Sequence, residues 1–187
     1  LPTDRYMAVE GANGLIAAIA DAHSLEAAGD KILRPLIVGP LGTAATPYRG
    51  PVALDGNLTV ELLAHIAASG LFGAADLRVA PASPGKAERL APFIAQRRGV
   101  LYVNLEEAVL LCHTEFSSSN EAALALVARA AMRALVTNGG QDASDGSAEG
   151  AITQAPPEAL VPRVTGAGDT YRPAHIAAEY AGSDRAD

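Results

Sequence analysis

Apolar and polar positions along this chain follow two periods, and the switches between them mark out its elements. Tyr6-Met7-Ala8-Val9 and Leu15-Ile16-Ala17-Ala18-Ile19 flank Asn13-Gly14, a dipeptide that tolerates positive φ and suits a tight turn, so a β-hairpin is predicted at the start. The Ala-rich second arm fits a helix as well. Residues 50–55 form a short apolar run entered through Gly50-Pro51 and left through Asp55-Gly56-Asn57, the pattern of a buried parallel strand. A helix is predicted over 59–69, with Leu62, Leu63, Ile66 and Ala67 on one face and Thr59 placed as its N-cap.

The same beat returns twice. Leu77-Arg78-Val79-Ala80 reads as a strand, 81–85 as a turn and 86–96 as a helix; Val100-Leu101-Tyr102-Val103 then reads as a strand and 105–112 as a helix. A periodic helix over 120–132 and a strand at Ala134-Leu135-Val136-Thr137 follow. Strands alternating with helices at this spacing imply an α/β fold, a mostly parallel sheet with helices on its faces. Residues 138–157 are dominated by Gly, Ser, Asp, Ala and Pro, and are expected to be loops with one weak strand pair. The last predicted element is a helix opened by glycines, from Gly166 through Ala178.

Composition narrows the class. A chain of 187 residues that is 49% hydrophobic fits a single domain spanning 1–187. The net charge of -7 excludes nucleic acid as a main partner, because phosphate backbones are bound by clustered Lys and Arg. The pair Arg97-Arg98 is expected to be solvated surface. Cys112 is the one cysteine, so no internal disulfide forms, and it has no metal-ligand spacing with His23, His65, His113 or His175; a reducing, cytoplasmic setting is expected. No apolar run approaches the roughly eighteen residues of a membrane span, and no signal peptide opens the chain, so no membrane partner is expected. The start at Leu1-Pro2-Thr3, without an initiator Met, points to a processed chain or an excised piece.

Ligands of open parallel sheets bind outside the carboxyl ends of the strands. The polar groups expected there are Asp55 and Asn57, Ser83 and Lys86, Asn104 and Glu107, Thr137 and Gly139, and the run Thr165-Gly166-Ala167-Gly168-Asp169-Thr170. The run is a glycine-rich turn leading into a helix, where close backbone approach, unpaired N–H groups and the helix dipole favour a phosphate. An acid inside an anion site is costly; accepting a proton from a substrate hydroxyl is one reason for Asp169, and capping the helix is the other. Asn104 and Glu107 suit a helix cap as well as a ligand, Asp55 suits a turn, and Ser83 and Lys86 suit a solvated helix start. His175 is expected to be packed or on the surface, and Cys112 in the core.

Residues 164–171, Val-Thr-Gly-Ala-Gly-Asp-Thr-Tyr, resemble the C-terminal signature of the PfkB (ribokinase-like) carbohydrate kinases. Asn104-Leu105-Glu106-Glu107 resembles the family's Asn-x-x-Glu motif, and Val136-Thr137-Asn138-Gly139 its ATP-facing strand and turn. The hairpin segment, Leu54-Asp55-Gly56-Asn57-Leu58 and Pro81-Ala82-Ser83-Pro84-Gly85-Lys86-Ala87 look most like the pseudouridine kinase branch. The resemblance covers nearly the whole chain. It implies a ribokinase-like fold truncated at both ends, with the N-terminal part that holds the first strands and a diglycine element missing and the segment after Asp169 shorter than the family's. It also implies ATP-dependent phosphorylation of a nucleoside or sugar hydroxyl. Asp169 would be the general base, with the N–H groups of Gly166, Ala167 and Gly168 as the anion hole. Asn104 and Glu107 would organise Mg²⁺, with Glu107 the metal residue; Thr137, Gly139 and Thr165 would line the nucleotide, and Asp55 and Asn57 the acceptor. A monovalent cation such as K⁺ and a homodimer are further implications. The alternative is a non-catalytic remnant or interaction module that keeps the fold. Three departures from the pattern stand out: Gln141-Asp142 where a glycine is usual, Ala80 where an acid is usual, and Pro173 in the last helix, which predicts a late or strained helix start.

Overall fold

The computed structural model describes residues 3–11, 14–21, 23–158 and 166–185. The chain opens with the predicted antiparallel hairpin, β1 (Arg5–Gly11) and β2 (Gly14–Asp21), so the Ala-rich arm is a strand. A connecting region holds α1 (His23–Ala28), a 3-10 turn, α2 (Arg34–Ile37) and the two-residue strands β3 (Val38–Gly39) and β4 (Gly42–Thr43).

The α/β body follows: β5 (Pro51–Asp55), α3 (Val60–Ala68), β6 (Asp76–Ala80), α4 (Ala91–Ala95), β7 (Val100–Asn104), α5 (Leu105–Cys112), α6 (Ser119–Ala128) and β8 (Arg133–Asn138). The hairpin β9 (Gln141–Ser147) and β10 (Gly150–Gln154) completes one six-stranded sheet in the order β10-β9-β8-β7-β6-β5. Strands β5 to β8 are mutually parallel neighbours, as their apolar runs and intervening helices predict; β9 and β10 join antiparallel. The last helix, α7, spans Ala167–Tyr180.

Helix starts follow their caps. Thr59 accepts from the Leu62 N–H, and Ser118 from that of Glu121. Leu63, Ile66, Leu90, Phe93 and Leu101 are essentially without exposed surface in a core between the sheet and α3 to α6. Each such side chain contributes roughly 1.5–3 kcal/mol by burial. Cys112 belongs to this core.

Several elements differ from their sequence reading. Residues 86–96 are not one α-helix: a 3-10 segment (Pro84–Leu90) precedes α4, because Pro92 has no N–H with which to continue an α-helical ladder through that point. The helix expected over 120–132 stops at Ala128, where Ala130 turns to φ 80°. Arg98 is not solvated surface. Its guanidinium donates to the carbonyls of Ala67, Ser69 and Phe72, closing the end of α3. The strand pair expected within 138–157 is present as β9 and β10, and it takes up most of a region expected to be mainly loop.

Pro173 neither delays nor ends α7. Residues 171, 172, 175, 176 and 179 form the helix stripe turned to the sheet, whereas Pro173 is exposed. Its ring removes only the N–H that would have bonded the Asp169 carbonyl.

Candidate active site

Strand alternation fixes which groups share a face. Leu54, Val79, Val103 and Val136 point into the core under α3 to α6, so the next residues, Asp55, Ala80, Asn104 and Thr137, fall on the opposite face at the carboxyl ends. Asp55 lies beside Ala80 in the ladder, and Asn104 beside Thr137.

That face is covered by α7. Arg172 Nη1 donates to the Leu54 carbonyl at 3.1 Å, near the carboxyl end of β5, while the Tyr180 hydroxyl donates to Asp76 at 3.1 Å, where β6 begins. Helix α7 therefore runs against the strand direction, and its N-terminus comes to the carboxyl edge. The structure thus brings Asp55, Asn104, Thr137 and the Gly166–Asp169 turn to one end of one face.

Gly166 precedes the helix at φ 87°, a left-handed conformation that favours glycine. Among the described residues no side chain caps the helix, leaving its first N–H groups available to an anion. Gly168 has ordinary φ, and a Cβ there would meet nothing within 4 Å, so neither backbone nor packing calls for glycine at that position. Asp169 is exposed in the first turn, and among the described residues no hydrogen bond or ion pair engages its carboxylate. Thr165 lies outside the described residues.

Asn104 and Glu107 form a reciprocal capping box at the start of α5. The Asn104 side chain accepts from the Glu107 N–H and the Glu107 carboxylate accepts from the Asn104 N–H, each at 2.8 Å. Glu107 is 7% exposed. Burial pushes its pKa above the ordinary carboxylate value; the Asn104 hydrogen bond opposes this and the Glu106 charge adds to it. Among the described residues no cluster of three or more His, Cys, Asp or Glu side chains makes an all-protein metal cage. Mg²⁺ keeps several waters and takes most of its ligands from substrate phosphates, so it needs no such cage, and a single carboxylate such as Glu107 fits it.

At β5 the turn is braced from several sides. Asp55 accepts from the Asn57 N–H at 2.8 Å and from its side-chain amide at 3.2 Å, and the Asn57 carbonyl accepts from the Lys86 ammonium. Arg89 Nη1 donates to the carbonyls of Gly56 and Leu58. A Cβ at Gly56 would lie 2.2 Å from the Pro81 carbonyl oxygen, so only glycine fits between them. Asp55 is a turn former here, as its alternative reading has it. Lys86, expected to be solvated, is half-buried and bonded. Gly139, at φ 57°, makes the tight turn from β8 into β9 that carries it beyond Thr137.

Ion pairs hold α7 down. Glu179 bridges Arg78 of β6 and Arg133 of β8, spanning Tyr102 of β7, whose hydroxyl bonds with Arg78 at 2.9 Å and His175 at 3.0 Å. Arg133 and Arg185 share Asp145 of β9. Burial opposes charge on Glu179 and Asp145, but the arginines outweigh it and hold both carboxyls below their ordinary pKa. Burial lowers the pKa of His175, against Glu179 and with Arg133. A small apolar cluster of Val100, Tyr102, Leu135, Tyr171 and Ile176 fills the remainder of this layer.

No family model and no curated protein matches the sequence. Solved structures do share the fold. A carbohydrate kinase from Agrobacterium tumefaciens superposes with a TM-score of 0.69 over 97% of this chain at 23% identity. A PfkB protein from Polaromonas sp. JS666 gives 0.63 over 97% at 15% identity, and the pyridoxal kinase of Bacillus subtilis 0.60 over 95% at 19%. The chain spans 57%, 61% and 71% of those three chains respectively. The fold is ribokinase-like.

Proposed function

We propose that this chain carries the phosphate-binding and proton-accepting part of an ATP-dependent kinase for a nucleoside or sugar hydroxyl, of the pseudouridine kinase kind. The observation that carries the reading is the Asp169 carboxylate, exposed in the first turn of α7 and without a bonding partner among the described residues, at the carboxyl edge of the sheet. The solved relatives support it, being sugar and vitamin kinases of the same fold. In the reaction, a bond forms between the acceptor oxygen and the γ-phosphorus. The bond from that phosphorus to the bridging oxygen breaks, its electron pair leaving with ADP, and the hydroxyl proton passes to Asp169. The N–H groups of Ala167 and Gly168, with that of Gly166, stabilise the charge on the phosphoryl oxygens. Glu107 would hold Mg²⁺ through its water shell, and the ion would neutralise phosphate charge. Thr137 and Gly139 line the nucleotide side, and Asp55 and Asn57 the acceptor side. A K⁺ ion and a homodimer complete the proposal.

The test is ADP release from ATP·Mg²⁺ with a panel of acceptors including pseudouridine, ribose and fructose. Asp169→Asn keeps the shape and removes the base, so turnover falls by about 10²- to 10⁴-fold while nucleotide affinity is kept. A chain that binds nucleotide yet releases no ADP with any hydroxyl acceptor is the non-catalytic module instead.

A further inference from the structure

In the layer between the sheet and α7, Arg78 pairs with Asp76 and Glu179, and Arg133 with Asp145 and Glu179. Arg172 is different. It lies half-buried on the helix stripe turned to the sheet, and among the described residues it forms no ion pair. Its single described hydrogen bond runs from Nη1 to the Leu54 carbonyl at 3.1 Å, which leaves four of the five guanidinium N–H donors unused. Neither neighbouring acid takes it up. Asp55, the residue after Leu54, turns its carboxylate to Asn57, and Asp169 has no bond or ion pair among the described residues. A planar guanidinium fork drawn partly out of water without an anion matches a carboxylate or a phosphate.

Contacts fix where that fork stands. Residues three apart on a helix are surface neighbours, about 4.5 Å apart along the axis, so Arg172 lies beside Asp169. Its bond to Leu54 ties it to the carboxyl end of β5, the acceptor side. The nucleotide side, at β8, is three strands away, roughly 14 Å at about 4.8 Å per strand. Arg172 therefore joins the proposed base to the acceptor strand and stands clear of the nucleotide end. Asp55 and Asp169 would repel an anionic acceptor at this place, and the Arg172 charge offsets them.

We infer that Arg172 binds an anionic group of the acceptor, a phosphate or carboxylate carried on a carbon other than the one that is phosphorylated. The inference rests on the kinase reading and narrows its acceptor to a charged sugar. Calorimetry on the unmodified chain, Arg172→Gln and Arg172→Lys tests it. AMP-PNP·Mg²⁺ is titrated first; with that nucleotide saturating, fructose is compared with fructose 6-phosphate, glucose with gluconate, and both pairs with pseudouridine. In the unmodified chain the anionic member of one pair should bind about 10- to 100-fold more tightly than its neutral partner, the range of a charged hydrogen bond. Preference in the first pair marks a sugar phosphate, and in the second a sugar acid. Arg172→Gln should abolish the preference while AMP-PNP·Mg²⁺ affinity is kept, which shows α7 still seated, and Arg172→Lys should recover part of it, since the charge returns without the fork. An equal loss of AMP-PNP·Mg²⁺ affinity in Arg172→Gln overturns the assignment, because the cation then serves the nucleotide or the seating of α7. No preference for either anionic sugar, or tighter binding of pseudouridine than of both, also overturns it and leaves the kinase reading standing. An unmodified chain that binds no AMP-PNP·Mg²⁺ sinks the kinase reading itself and this inference with it.

Discussion

For Glu107, burial and the proposed Mg²⁺ role pull protonation in opposite directions. As the cap of α5 it works in either state, because a carboxyl or an amide oxygen accepts equally from the Asn104 N–H. As a group for Mg²⁺ it must be charged, and burial makes that charge costly. A carboxyl whose pKa is raised by folding contributes stability fully below its unfolded pKa, and loses it as pH rises through the folded value. Glu107→Gln should therefore be at least as stable as the unmodified chain at about pH 7.5, with that advantage shrinking toward about pH 4, where both side chains are neutral. Thermal melts at the two pH values check this. In the same variant, affinity for ATP·Mg²⁺ should drop on the order of 10- to 100-fold, as when an outer-shell partner of a metal is removed. Retained affinity with raised stability would leave Glu107 a cap and nothing more. Capping and ligation use the same two residue types at the same spacing, so the Asn-x-x-Glu pattern by itself separates neither role. Lys86 was harder still to read, because its partner Asn57 lies 29 residues away and meets it only when β5 and β6 pair.

Among elements, those whose inward residues are apolar were legible. Strands β5 to β8 and helices α3, α5 and α6 follow from Leu, Val, Ile and Ala at the right period, since burial of those side chains is what forms them. Strands β9 and β10 were legible only as one weak strand pair, because Ser144, Asp145 and Ser147 are buried yet polar and satisfied by Ser119, Thr153, Arg133 and Arg185. Pairing of that kind leaves no periodic trace. Helix α7 was legible from its glycines and acid, but its seat was not: it docks on the sheet through charges, with Glu179 shared by two arginines. Glu179→Gln leaves Arg78 paired with Asp76 and Arg133 with Asp145, but the link from α7 to β6 and β8 loses its charge. A loss on the order of 1 kcal/mol is expected, because Glu179 is partly exposed and solvent screens its pairs. Hydrogen exchange should quicken at the amides of 167–180 and stay slow in β6 to β8; unchanged exchange in α7 would mean that the apolar cluster alone seats it. Acid should act in the same direction. Glu179 and Asp145, with depressed pKa values, lose their contribution as pH falls through those values. The imidazole of His175, kept neutral by burial, resists protonation even earlier, as pH falls below its ordinary value.

At the scale of the whole molecule, apolar surface is unevenly placed. The body hides most of its large apolar side chains, with scattered exceptions such as Met132 and Tyr180, while the β1–β2 hairpin shows Tyr6, Met7, Val9, Ile16 and Ile19 with 51% to 72% of their surface exposed. Backbone N–H groups of Ser24 and Leu25 donate to Asp4, tying the base of the hairpin to α1. An isolated two-stranded hairpin is marginal in water, and contiguous apolar surface of this kind marks an interface. The proposed homodimer would cover this surface by pairing two such hairpins. Met7 and Ile19 are directly opposite in the ladder, so their side chains share one face. Sedimentation velocity across a concentration series should show a dimer that dissociates on dilution. Met7→Lys combined with Ile19→Lys places two like charges across the strands and on the interface, and should give a monomer at every concentration. Far-ultraviolet circular dichroism should remain that of the unmodified body, because neither residue belongs to its core. A chain that is monomeric without substitution, at concentrations where the hairpin is folded, would assign the exposed apolar side chains to something other than a second copy.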